Sequence, residues 1–212
     1  VLFRSQTAKI EAERTIQMGN GNRGNTMIIK NGLVFTPEGK FEKKDLYVEG
    51  EYVAKETTDN KEVEAEGCYV IPGLVDIHFH GCVRHDMCDG TEESIQALAD
   101  YEAANGVLAI CPATMTIPEE ELFQAMKAAK EHKNGKGADL VGINMEGPFV
   151  NKEKKGAQKE EDIKLADVEL FHKLQEAAGG LIKLVDLAPE TEGAMDFIDQ
   201  VKDEVRSEER RV

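Results

Sequence analysis

The chain has 212 residues, 41% of them hydrophobic and 32% charged, and its 26 basic and 41 acidic side chains leave a formal net charge of −15. That composition is neither membrane-like nor disordered, and no apolar run approaches the roughly 18 residues a spanning helix needs. Nucleic acid is a poor partner for so acidic a chain, because phosphate contact requires clustered Lys and Arg. No secretory pattern follows the first basic residue, so a soluble, cytoplasmic protein is expected. The four cysteines (Cys68, Cys82, Cys88 and Cys111) form no CxxC pair and read as reduced thiols.

Residues 1–26 differ in character from the rest of the chain. Gly19 to Thr26 is polar and aperiodic and cannot bury a core. Val1 to Ser5 and the closing Arg206 to Val212 resemble translated adapter sequence, so residues 1–26 are expected to be a non-native or disordered leader and residues 206–212 a tail that is not native. Met27 opens a clean pattern of short strands. Met27 to Lys30 leads to Asn31-Gly32, a hairpin-type pair, then Leu33 to Phe35, a turn at Pro37 to Lys40, and alternation over Asp45 to Gly50. This predicts a small antiparallel unit over 27–70.

From Val70 the pattern becomes strand, helix, strand, helix. Pro72 to His80 reads as a strand ending at Gly81, and Thr91 suits a helix start, with Ile95, Leu98 and Ala99 on the apolar face. Gly106 to Cys111 is a wholly apolar strand, as parallel sheets require. Pro118 to Glu131 is a helix, Leu140 to Glu146 a strand, Ala166 to Ala178 a helix, Leu181 to Leu187 a strand, and Gly193 to Val205 a helix. Four β/α units over 71–205 imply an α/β fold with a parallel sheet. They are half of an eight-fold barrel, which needs about 250 residues.

The strongest chemical signal is Asp76-Ile77-His78-Phe79-His80-Gly81. Side chains alternate along a strand, so His78 and His80 face the same way and stand close enough to bind one metal ion. Catalytic groups of such folds gather at the carboxyl ends of strands, where this pair lies. The second signal is Glu146, which ends an apolar strand. A carboxylate there is costly to bury unless it is paired or binds metal, although a rim position paired with Lys152, Lys154 or Lys155 explains it too. Cys82 and Cys88, near the two histidines, are weighed as ligands against the commoner role of small buried hydrophobes. Asp86 and Asp89 are either partners of a ligand histidine or solvated turn residues. His85 is read as structural, and His132 and His172 as surface residues of helices.

In this order, the motifs resemble the amidohydrolase superfamily. Pro72 to Gly81 is similar to its first barrel strand, which is preceded by part of a small β-sandwich. Glu146-Gly147-Pro148-Phe149-Val150-Asn151, with Lys155-Gly156-Ala157-Gln158, Cys111 to Thr116 and Leu187-Ala188-Pro189-Glu190, narrows the resemblance to the N-acetylglucosamine-6-phosphate deacetylases over about residues 27–205. The resemblance implies the N-terminal half of a (β/α)8 TIM-like barrel. It also implies hydrolysis of the N-acetyl group of N-acetylglucosamine 6-phosphate to glucosamine 6-phosphate and acetate. Glu146 would be the principal metal ligand, His78 and His80 would hold a second metal position, and the cofactor would be one or two ions of zinc or iron. Ala157 and Gln158 match a substrate-contacting pair in which many members carry histidine at the second place; glutamine keeps the hydrogen bonding but not the possible positive charge.

A bound metal lowers the pKa of its water towards about 7 and polarises the acetamide carbonyl; an acid then protonates the departing amine. The resemblance places that acid, an aspartate, and two further metal histidines beyond Val212. The chain itself is therefore expected to be inactive and, with strand edges unpaired, to associate or remain partly molten. Expected partners are an amino-sugar phosphate and, at full length, a second copy of the chain. The alternatives are another amidohydrolase, dihydroorotase-like or aminoacylase, and a non-catalytic scaffold.

Overall fold

The computed structural model describes residues 2–4, 26–50, 52–57 and 61–209. The first sheet comprises β1 (Leu2–Arg4), β2 (Met27–Phe35), β3 (Phe41–Glu49), β4 (Tyr52–Ala54), β5 (Glu62–Glu64) and β6 (Cys68–Val70). Its central strand β2 pairs antiparallel with β3 and parallel with β5 and β6, so the sheet is mixed, not antiparallel as the alternation suggested. The backbone of β1 pairs antiparallel with β6. Val1 and residues 5–25 of the leader lie outside the described residues.

Asn31-Gly32 does not turn the chain. The β2–β3 register shifts between Ile29 and Gly32, and Asn31 sits there at φ 61 as part of a bulge. The left-handed backbone that Asn tolerates serves a bulge as well as a hairpin, and here the surroundings select the bulge. Asn31 donates its backbone N–H to Asp45 Oδ1 at 3.0 Å and its side-chain amide to the Glu64 carboxylate. The turn expected at Pro37 to Lys40 does form: Thr36 N–H donates to Lys40 O across it. Alternation along β2 puts Met27, Ile29 and Val34 inward, and Ile29 and Val34 join Ala65, Cys68 and Val70 in a small core.

The second half alternates parallel strands with helices, and its elements follow in chain order. They are β7 (Leu74–Asp76), β8 (Gly81–Cys82) and β9 (His85–Asp86) as a short hairpin, α1 (Glu92–Ala104), β10 (Val107–Ile110), α2 (Glu119–Glu131), β11 (Asp139–Leu140), β12 (Ile143–Glu146), α3 (Val168–Ala177), β13 (Ile182–Leu187), α4 (Ala194–Val201) and β14 (Arg206–Glu209). β7 pairs parallel with β10 and β10 with β11. β12 pairs parallel with β13 and β13 with β14. A bridge from Ala113 to Asn144 joins the two groups. The predicted strand Leu140 to Glu146 is thus divided at Val141-Gly142, and the backbone of 206–209 extends the sheet; residues 210–212 lie outside the described residues.

Helix α1 begins at the capping residue expected for it, and α3 begins after Asp167, two residues later than the expected Ala166. Thr91 Oγ1 accepts from Ser94 N–H at the start of α1, and Asp167 Oδ1 from Leu170 N–H at the start of α3. Pro118 stands immediately before α2 and not within it. The helices bury Ile95, Leu98, Leu122, Met126, Phe171, Leu174 and Phe197 against strand residues Ile110, Ile143, Met145, Ile182 and Val185 in one core. Each such aliphatic or aromatic side chain contributes about 1.5–3 kcal/mol by leaving water. The other face of the strands is free to carry polar groups.

Candidate metal centre

Strand β7 ends at Asp76, so His78 and His80 stand just beyond it and not within it as predicted. The segment stays tied to its neighbour: Cys111 N–H donates to Asp76 O, and Ala113 N–H to Phe79 O. Asp76 Oδ1 accepts from His78 N–H at 3.0 Å. This keeps the two imidazoles on one side, with ring centroids 5.5 Å apart and planes at 88°.

Glu146 ends β12 at 2% exposure, which removes the rim interpretation. Lys155, one of the lysines considered for it, donates its ammonium to Gln158 O instead. Glu146 Oε2 lies 3.1 Å from His78 Nε2 and 3.2 Å from His80 Nε2. Glu146 Oε1 accepts from Gln158 Nε2 at 3.1 Å, and Gln158 Oε1 accepts from Thr116 N–H at 2.6 Å. One ligand atom from each of His78, His80 and Glu146 falls within 4.8 Å of the others, the only group of three or more metal-ligating side chains among the described residues. Two imidazole nitrogens and a carboxylate oxygen form a donor set suited to zinc or iron, so the residues fit such an ion. The Glu146 carboxylate beside it holds the His80 imidazole above its ordinary pKa.

Gly147, next after the carboxylate, has φ 75 and packs so closely that a Cβ there would strike the Thr116 hydroxyl. Thr116 in turn anchors Gln158, so the Glu146-Gly147 corner and the Gln158 turn are built against one another. Gln158 is 4% exposed while Ala157 beside it is exposed.

Two polar residues of this site were not singled out by the sequence. Asn144, fully buried on β12, directs Nδ2 to His78 Nδ1 at 3.0 Å and donates to Ile77 O. Asp186 on β13, 4% exposed, is the register partner of Glu146 and places Oδ2 3.6 Å from His78 Nδ1. Each is a polar residue inside an apolar strand, the same signal that singled out Glu146. The loop residues resolve as turn builders. Asp86 caps the short turn Met87–Asp89, and Asp89 accepts from Asp86 N–H and Ser94 Oγ. His85 Nδ1 meets Ser94 Oγ at 3.0 Å. The Cys88 thiol accepts from Met115 N–H and is pushed up to about 12 by burial, and it stands outside the group formed by His78, His80 and Glu146.

No family model matches the chain. Individual relatives do. It is 36% identical over 183 residues to the N-acetylglucosamine-6-phosphate deacetylase of Bacillus subtilis (strain 168), covering 84% of this chain and 45% of that relative. It is 28% identical over 180 residues to the N-acetylgalactosamine-6-phosphate deacetylase of Escherichia coli O157:H7, covering 84% of this chain and 48% of the relative. The solved N-acetylglucosamine-6-phosphate deacetylase of Pasteurella multocida superposes with a TM-score of 0.76 at 20% identity, over 87% of this chain and 50% of that one; this likeness speaks for the fold. No helix among the described residues is long and apolar enough to cross a membrane. The chain is thus similar in sequence to N-acetylglucosamine-6-phosphate deacetylases and shares their α/β fold, and it spans about half the length of the relatives it matches.

Proposed function

We propose that the protein this chain represents removes the acetyl group of N-acetylglucosamine 6-phosphate in the cytoplasm, with zinc or iron as its cofactor. The observation that carries this is the convergence of His78 Nε2 and His80 Nε2 on the buried Oε2 of Glu146, in a chain 36% identical to a deacetylase of that name. His78, His80 and Glu146 would hold one or two ions. A metal in this site supplies a water acidified towards about pKa 7 and a polarised amide carbonyl.

The protein's own groups prepare that chemistry. Gln158 occupies Glu146 Oε1 and so turns Oε2 towards the two histidines. The Ala157-Gln158 turn abuts the carboxylate, which makes its edge the place where substrate meets the centre. The parallel strands form the first part of a (β/α)8 barrel over residues 71–205, with part of a β-sandwich over 27–70. The uncovered apolar side chains of Leu74 (43% exposed), Val75 (60%) and Ile77 (48%), on and beside β7 at the end of the strand order, support a barrel completed by further strands. The 212-residue chain is on this reading inactive, and the full-length protein a homodimer.

The test measures acetate release from N-acetylglucosamine 6-phosphate and from N-acetylgalactosamine 6-phosphate. It uses the 212-residue chain and a form extended to the length of the relatives, each with zinc, with iron and with chelator. Chelator-sensitive turnover of the glucosamine substrate by the extended form alone is expected. Turnover by the short chain would remove the claim of inactivity, and preference for the galactosamine epimer or for an unphosphorylated amide would reassign the substrate.

A further inference from the structure

The His78 ring has two differently occupied nitrogens, and this exposes a role for a carboxylate outside the ligand set. Nε2 points at Glu146 Oε2 (3.1 Å), and Nδ1 at Asn144 Nδ2 (3.0 Å) with Asp186 Oδ2 behind it at 3.6 Å. An amide nitrogen only donates. In the arrangement seen, therefore, Nδ1 is the acceptor and Nε2 carries the proton that faces Glu146. A cation needs the Nε2 lone pair, so the proton must sit on Nδ1 when one is bound; Asn144 Nδ2 cannot accept it there, and turning that amide to offer Oδ1 would give up its bond to Ile77 O. Asp186 Oδ2 can.

We propose that Asp186 is a positioning residue for His78: its carboxylate accepts the Nδ1 proton and holds the imidazole in the tautomer whose Nε2 faces the metal. The Nε2 proton passes to solvent as Nδ1 takes one up, and the ring moves the few tenths of an ångström that turn 3.6 Å into a hydrogen bond. Asp186 sits in an otherwise apolar strand, 4% exposed, in register with Glu146, so the two carboxylates flank one imidazole. A carboxylate bonded to the far nitrogen of a ligand histidine fixes ring orientation and raises ligand basicity. This role for Asp186 rests on the metal-binding role of His78.

The test labels histidine with 15N in the 212-residue chain and records two-bond 1H–15N spectra with and without zinc, His78 being assigned by its loss in His78→Gln. Zinc affinity is measured in parallel against a chromophoric chelator for the wild type, Asp186→Asn and Asp186→Ala. The expected result is a His78 protonated at Nε2 without zinc and at Nδ1 with it. Zinc affinity should fall by about 10–100-fold in Asp186→Ala and by less in Asp186→Asn, which keeps a neutral acceptor. A zinc-bound His78 that keeps its Nε2 proton, or unchanged affinity in both variants, overturns the role of Asp186 and leaves the metal site standing. A wild type that takes up no zinc overturns the metal site and this role with it. The wild-type spectra can overturn the role even where a variant fails to fold.

Discussion

Glu146 and Asp186 are register partners on adjacent parallel strands, and the His78 imidazole stands between their carboxylates, 3.1 Å from one and 3.6 Å from the other. Two acids placed side by side in a nearly dry site raise each other's cost, and a cation relieves it. Zinc should therefore raise the thermal midpoint of the wild-type chain. At a free concentration of 100 times the dissociation constant the gain is about 2.7 kcal/mol. Glu146→Gln removes the shared charge and should abolish most of the zinc-induced shift while leaving the metal-free midpoint close to wild type or higher. Thermal scans with zinc and with chelator measure both. A zinc shift of full size in Glu146→Gln would show that the ion binds elsewhere.

Gly147→Ala should damage the centre without touching a ligand. The added methyl meets the Thr116 hydroxyl and asks alanine to adopt φ 75. Strain of this kind costs about 1–3 kcal/mol. Because Thr116 N–H anchors Gln158 and Gln158 holds Glu146, zinc affinity should drop together with stability. Denaturant unfolding with a zinc titration separates the two losses; full affinity in a destabilised Gly147→Ala would break the proposed chain of supports.

The hairpin after the HxH segment is a place where the chain can be improved. Val83 and Arg84, the two loop residues between β8 and β9, have φ 46 and 69. Both positive values are the signature of a turn that favours Asn-Gly, and a β-branched residue there is a true outlier. Val83→Asn and Arg84→Gly should each relieve about 1 kcal/mol, which for a chain of this size is a rise of roughly 2–4 °C in midpoint. A fall in midpoint for both would mean that Val83 or Arg84 makes contacts worth more than the strain.

His132 should make stability depend on pH. Placed at the C-cap of α2, it is half-buried, with both ring nitrogens lacking a hydrogen-bond partner among the described residues. Burial holds its pKa below the ordinary value of 6.5, opposed by Glu92 and Asp139. The unfolded chain then binds the proton more readily than the folded one, so stability rises with pH across this range. It should be fully present above about pH 6.5 and be lost as pH falls towards the folded-state pKa. His132→Phe should flatten that part of the profile, measured as unfolding free energy between neutral and mildly acid pH. An unchanged slope would assign the dependence to other groups.

How far the site could be read from the sequence depended on how local each cue was. His78 and His80 share a segment, so strand alternation alone predicted their common face, even though the regular strand ends two residues before His78. Glu146 stood out as a charge ending an apolar run. Asp186 carried the same cue inside Leu181 to Leu187 and Asn144 a weaker one, but a role for either needs a partner from another strand, and pairing register is tertiary information. Thr91 marked a helix start because its hydrogen bond closes within three residues, and Asp167, inside the range read as helix from Ala166, carries the same local cue. Asn31-Gly32 misled for the complementary reason: its left-handed backbone suits both a turn and a bulge, and Asp45 and Glu64, distant in sequence, decide between them.

The same dispersal has a kinetic meaning. Asn144 reaches His78 across a sequence separation of 66, and Gln158 reaches Thr116 across one of 42. Closing such loops carries an entropic cost that local helices do not meet, and contacts of this separation form slowly. Helices α1, α2 and α3 can take shape early, but none of them carries a ligand. Zinc added to a refolding chain should consequently find no site until the strand ends have come together, which makes the arrival of metal affinity a clock for the last step of folding.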